Sequence, residues 1–223
     1  MSIAEKLTTI AENQQKVYDA GYAAGQAEGG GGLDLGRVCS RILIDDLNLL
    51  GAEDVVLNLD NVTLLGTFTS NIVQNTTVKH LTFNCPKTIT DAQRMFAGAD
   101  SYLERVTFNV DFSKAALTST FWNMQNLQVI DGEPMDLSGM RASNYFPSYL
   151  CPKLREVRVV PGSLKVSTTI PSSTVLSAES KQSIVDGLAD LTGQTTQTLT
   201  MKNIVLTDDQ KATITSKNWT LVQ

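Results

Sequence analysis

The sequence predicts an α/β chain: a solenoid of short strand units, preceded by an α-helical coiled-coil segment. Three observations predict it. First, five strand-like stretches start at residues 54, 78, 103, 127 and 154 of the 223-residue chain, so successive starts differ by 24, 25, 24 and 27; a sixth starts at 196, 42 further on. Periods of this size mark units that stack on their neighbours and bury a shared core. Second, the stretches align on an apolar fourth residue (Leu57, Leu81, Val106, Ile130, Val157, Leu199). A polar fifth residue always follows: Asn58, Thr82, Thr107, Asp131, Arg158, Thr200. Third, residues 2–25 carry a narrow heptad stripe and are followed by glycines at 29–32.

The stripe runs Ile3, Leu7, Ile10, Gln14, Val17, Gly21, Ala24, with polar flanks. Ser2 and Glu5 form a capping-box pair at its start. A helix of this length reaches roughly 36 Å, and a thin stripe on an isolated helix is only marginally stable in water. It therefore needs a partner. Self-association through Ile3, Leu7, Ile10, Gln14 and Val17 is one reading, with Gln14 setting register and a homotrimer expected. Docking into a groove of another protein, and folding back on its own domain, are the others. Residues 1–28 are thus an oligomerisation or docking helix, 29–32 a flexible glycine linker, and 33–223 the repeat domain.

Within that domain, residues 33–50 are expected to cap the first unit. Phe96, Phe121 and Phe146 each stand six to eight residues before the next strand. That phase suits helical turns over 90–97 and 113–124. The stretch 161–173, rich in Pro, Gly and Ser, reads as an irregular loop. Ser177 N-caps a helix that Gly193 ends, and Thr207 with Gln210 forms a capping box opening a helix over 208–216. Strands 198–201 and 218–221 complete two helix-containing units that close the domain.

These residues resemble a known family. The Leu-x-x-Val/Ile/Leu-x-Phe strand, with Phe before the next Leu, is similar to the bacterial surface-antigen (BspA-like) leucine-rich repeat over about residues 54–160, with most of the Cys and Ile positions between strands missing. The helical units at 176–193 and 206–219 are similar to the ends of repeat proteins from phages and prophages of Gram-positive gut bacteria. The opening, Ser2 to Gly21, resembles the N-terminal helix of tail-associated proteins in those phages. The resemblance implies a virion component assembled in the host cytoplasm. Its expected partners are copies of itself, other virion proteins, and a host cell-surface glycan or protein. A start without a signal peptide agrees with that expectation, whereas a bacterial surface protein would carry one.

Composition narrows the function classes. Net charge is −5 and only 6% of residues are aromatic, with no basic run, which argues against nucleic acid. No apolar run reaches the roughly 20 residues that span a bilayer, so no membrane partner is expected. Cys39, Cys85 and Cys151 are an odd, widely spaced set, read as reduced and buried thiols. His80 is the single histidine; a base needs a nucleophile and an orienting carboxylate beside it, and the default is an exposed strand residue. The carboxylates Asp45, Asp46, Asp111, Asp208 and Asp209 predict no cleft pair. No phosphate loop, dinucleotide fingerprint or calcium loop occurs. Neither catalysis nor a cofactor is expected. The expected binding surface is the outward column of Asn58, Thr82, Thr107, Asp131, Arg158 and Thr200, with Asp60, Asn84, Asn109 and Glu133 as the next row. A bacterial leucine-rich-repeat interaction module is the second reading, and an enzyme acting on surface glycan the third.

Overall fold

In a computed structural model of the chain, residues 12, 53–58, 78–85, 92, 95–96, 102–117, 120–141, 145–170 and 175–223 are described. Of the expected N-terminal helix only Glu12 belongs to this set; it is helical and exposed. The seam residues Ile3, Leu7, Ile10, Gln14 and Val17, the glycine linker and the expected cap at 33–50 lie outside the described residues, as do Cys39 and Asp60.

The described chain mixes helix with parallel sheet. The strands are β1 (Asp54–Asn58), β2 (His80–Cys85), β3 (Arg105–Val110), β4 (Val129–Met135), β5 (Glu156–Val159), β6 (Thr168–Thr169), β7 (Gln197–Thr200) and β8 (Trp219–Val222). The helices are α1 (Ala178–Gly187), before β7, and α2 (Asp208–Ser216), before β8. One sheet has the order β1-β2-β3-β4-β5 and the other β6-β7-β8, so within each sheet every strand pairs with its sequence neighbours. All these pairings are parallel.

Strand alternation explains the core. In β3 the side chains of Val106, Phe108 and Val110 are buried while Arg105 and Asn109 are exposed, the period of two expected where one face meets a core. Phe108 sits among Phe83, Phe96, Phe112 and Phe121 with ring centroids 5.2–6.3 Å apart, all edge-on. Phe96 and Phe121, from successive units, stack at 5.4 Å. Each such buried ring contributes roughly 1.5–3 kcal/mol by leaving water. One continuous cluster of buried side chains runs from Val78 to Trp219.

The segments between strands differ from the sequence expectation. At 95–96, 113–114 and 120–123 the chain forms turns rather than helix. The reason is where the backbone donors go. Ala92 N–H donates to Ala116 O, Phe96 N–H to Thr120 O, Phe121 N–H to Pro147 O and Phe146 N–H to Thr169 O. A helix would spend those donors within its own turn; here they join one unit to the next. The expected loop at 161–173 also contains order, since β6 lies within it.

Local capping signals are obeyed. Ser177 accepts from Ser180 N–H at the start of α1. Thr207 and Gln210 bond each other's backbone in a complete capping box on α2. Helix α1 stops earlier than expected, at Gly187 with Leu188 as C-cap, while Gly193, at φ 77°, serves a later turn. Lys217, at the end of α2, replaces the missing C-terminal cation of α1. Its Nζ donates to the carbonyls of Val185 (3.1 Å), Asp186 (3.0 Å) and Leu188 (2.8 Å).

Candidate functional site

The outward face of the five-stranded sheet carries the polar rows, and strand register decides their membership. Thr82, Thr107 and Asp131 pair in succession, as the sequence alignment expected. Asn58 does not join them. Its partner is Asn84, which pairs with Asn109, while Val56 stands opposite Thr82. Between β1 and β2 the true offset is 26 residues, from Asp54 to His80, two more than the starts suggested. Arg158 is exposed on β5 but has no paired partner in Asp131, because β4 bulges between Ile130 and Met135. Thr200 lies in the other sheet, paired with Thr169 and Val222. The expected six-residue column is therefore a three-residue row, an asparagine row beside it, and two residues elsewhere.

Side-chain bonds tie the rows together. Thr107 Oγ1 donates to Asp131 Oδ1 at 2.6 Å, and Arg105 Nη1 donates to Asp131 Oδ2 at 2.9 Å. Both Asp131 oxygens are thus engaged, with its side chain 21% exposed. Asn109 Nδ2 donates to Asn84 Oδ1 at 2.5 Å, extending one amide row across two strands. At the strand starts Lys79 bonds Glu53 at 2.8 Å and His80 Nδ1 lies 2.6 Å from Asp54 Oδ1. Lys79 has its pKa raised, first through its bond to Glu53 and then through that carboxylate's charge. Exposed pairs of this kind add little stability. Their effect is to hold polar heads in order on a sheet face.

The bulge gives this face its relief. Gly132 pairs with Phe108 and has φ 88°. A Cβ built there would meet Phe108 O at 2.1 Å, so the close approach requires glycine. Four residues, 131–134, then stand opposite Arg158 alone. Beside the bulge lies an open groove of about 470 Å³ lined by Asp131, Glu156, Arg158, Glu179 and the serines at 177, 180 and 183. Its floor is firm because α1 closes the sheet edge. Ser180 Oγ accepts from Val157 N–H and Ser183 Oγ from Val159 N–H, both at 2.9 Å. Two hydroxyls thus satisfy donors that an edge strand would otherwise leave open.

The sequence reading missed Arg105, which orients Asp131, and Asp54, the carboxylate beside His80. Gly132 and Pro134 inside a strand pattern were the available signal for the bulge. Asp54 and His80 are both well exposed, and among the described residues no nucleophile is bonded to them. Cys151 is buried, its Sγ–H donating to Phe121 O; burial pushes its pKa up to about 12, so the thiol stays protonated. Cys85 ends β2. Among the described residues no group of three or more His, Cys, Asp or Glu could hold a metal ion. Nor is any described helix long and apolar enough to cross a membrane. The site presents charged, amide and hydroxyl groups over an open groove, which equips it for recognition of a polar partner. Comparison with known proteins finds no matching family model, no similar curated protein and no similar solved structure.

Proposed function

We propose that this chain is a non-enzymatic virion structural protein of a phage, a tail-fibre or receptor-binding subunit. In this reading residues 33–223 form a leucine-rich-repeat-like solenoid that contacts the host surface. The N-terminal helix trimerises through Ile3, Leu7, Ile10, Gln14 and Val17 or docks on another virion protein, and the glycines articulate the two parts. A head fibre or other virion decoration is the same proposal at a different station. The observation that carries it is the polar face: parallel strands at offsets of 26, 25, 24 and 27 residues, with ordered side-chain rows beside the groove at Asp131 and Arg158. Stacked units of this kind make extended binding surfaces.

Two experiments test the reading. Mass spectrometry of purified virions is expected to find peptides of this chain. Arg158→Glu is expected to lower host adsorption at least about tenfold, the loss of one charge-assisted contact, with an unchanged circular dichroism spectrum. Asp131→Lys extends the test across the groove, its fold checked in the same way. Virions without the chain would reject the virion assignment, and unchanged adsorption by both variants would reject the face. The repeat units also suit a bacterial leucine-rich-repeat interaction module. Absence from virions together with capture of a cell-surface protein would favour that alternative.

A further inference from the structure

The aromatic residues divide into two populations. The described phenylalanines, Phe83, Phe96, Phe108, Phe112, Phe121 and Phe146, are all buried, whereas Trp122 and Tyr145 are 37% and 42% exposed. These exposed rings come from successive units, and the backbone brings the units together. Phe121 N–H donates to Pro147 O at 2.8 Å and Asn123 N–H to Tyr149 O at 2.9 Å, so residues 121–123 run alongside 147–149. Phe121 turns inward and Trp122 outward. Tyr145 and Tyr149 have ring centroids 4.1 Å apart at 46°. Asn123 and Leu150 repeat the same left-handed turn, φ 61° and 60°, and Leu150 is left 43% exposed. Amides follow Trp122 in the chain, at Asn123, Gln125 and Asn126. Gln125 Nε2 donates to Asn123 Oδ1 at 2.7 Å, and Lys153 Nζ donates to Asn126 Oδ1 at 2.9 Å.

We infer that this edge of the molecule is a saccharide-binding platform, on which Trp122 and the Tyr145–Tyr149 pair pack against pyranose rings. A sugar ring has an apolar C–H face with hydroxyls around its rim. Trp and Tyr rings match the face at low entropic cost, since each side chain has only two rotatable angles. The amides of Asn123, Gln125 and Asn126 can each donate to and accept from hydroxyls. None of its residues lines the groove at Asp131 and Arg158, and its binding does not depend on the virion assignment.

The test uses the full chain, which has two tryptophans. Trp219 is 3% exposed, with its Nε1–H bonded to Ala189 O. Quenching of tryptophan fluorescence by acrylamide therefore reports mainly on Trp122. The probes are chitotetraose, cellotetraose and maltotetraose, with phosphatidylcholine vesicles as the apolar alternative. At least one oligosaccharide is expected to protect Trp122 from quenching in a saturable manner, and vesicles are not. Calorimetric titration of that sugar into Tyr145→Ala and Trp122→Ala is expected to show affinity lowered about tenfold or more, while Trp219→Phe binds as the parent does. No saturable protection by any of the three sugars overturns the inference. So does protection by the vesicles, or sugar binding that both alanine variants retain.

Discussion

Ser180→Ala tests how α1 closes the five-stranded sheet. Ser180 is 3% exposed. Its Oγ accepts from Val157 N–H at 2.9 Å and from Ser177 Oγ–H at 3.1 Å, and it donates to Arg155 O at 3.0 Å. Alanine keeps the helix but removes the acceptor. Arg155 O still receives Ser177 N–H, so the orphan is Val157 N–H, buried between β5 and α1. An unsatisfied buried donor costs about 1–3 kcal/mol. The better helix propensity of alanine returns about 0.5 kcal/mol, leaving a net loss of about 0.5–2.5 kcal/mol. Urea unfolding measures it as a lower midpoint at unchanged slope. Amide exchange gives the local readout: Val157 is expected to lose protection before its neighbours in β4 do. Unchanged stability with an unchanged Val157 exchange rate would refute the idea that the helix hydroxyls hold the sheet edge.

Three further predictions concern single residues. Gly132→Ala places a Cβ against Phe108 O at a φ of 88° and is expected to cost at least about 2 kcal/mol; a thermal midpoint equal to the parent's would contradict the bulge. Lys217→Met removes the cation from three carbonyls at the end of α1 and is expected to cost about 1–2 kcal/mol, read by urea unfolding. Burial lowers the Lys217 pKa below 10.5, with Asp186 and Asp190 partly restoring it, so the unfolded chain holds this proton more tightly. The group therefore makes parent stability rise as pH climbs from the folded pKa to 10.5, a slope that Lys217→Met is expected to flatten. Cys151, with its pKa pushed up to about 12, is expected to resist a thiol reagent at neutral pH in a Cys39→Ser, Cys85→Ser background until urea unfolds the chain; rapid labelling of the folded protein would count against the burial.

The column at the fifth position shows where sequence reading stopped. Aligning Leu57 with Leu81 and pairing Val55 with Leu81 both set apolar residues side by side. A two-residue slip preserves strand alternation, so pattern alone cannot choose between them. Pairing in the sheet chooses the second and moves Asn58 into the asparagine row. Arg158 left its expected neighbour for a different reason, since the bulge at Gly132 inserts residues that no period anticipates. The connecting turns were misread as helix because Phe96 and Phe121 at a fixed phase report burial, not the destination of the backbone N–H groups.

By itself the sequence determined the strands other than β6, the alternation that buries one face of β3 and β5, and where the two capped helices begin, after Ser177 and Thr207. Those properties depend on alternation and on cap residues within a few positions of each other. Only the tertiary structure decided which strand residues stand side by side, that β4 bulges, that Arg105 orients Asp131, and that helix hydroxyls and Lys217 complete elements 23 to 32 residues away. These are hydrogen-bond pairings between distant segments, where many registers satisfy the same hydrophobic pattern and the backbone donors select one.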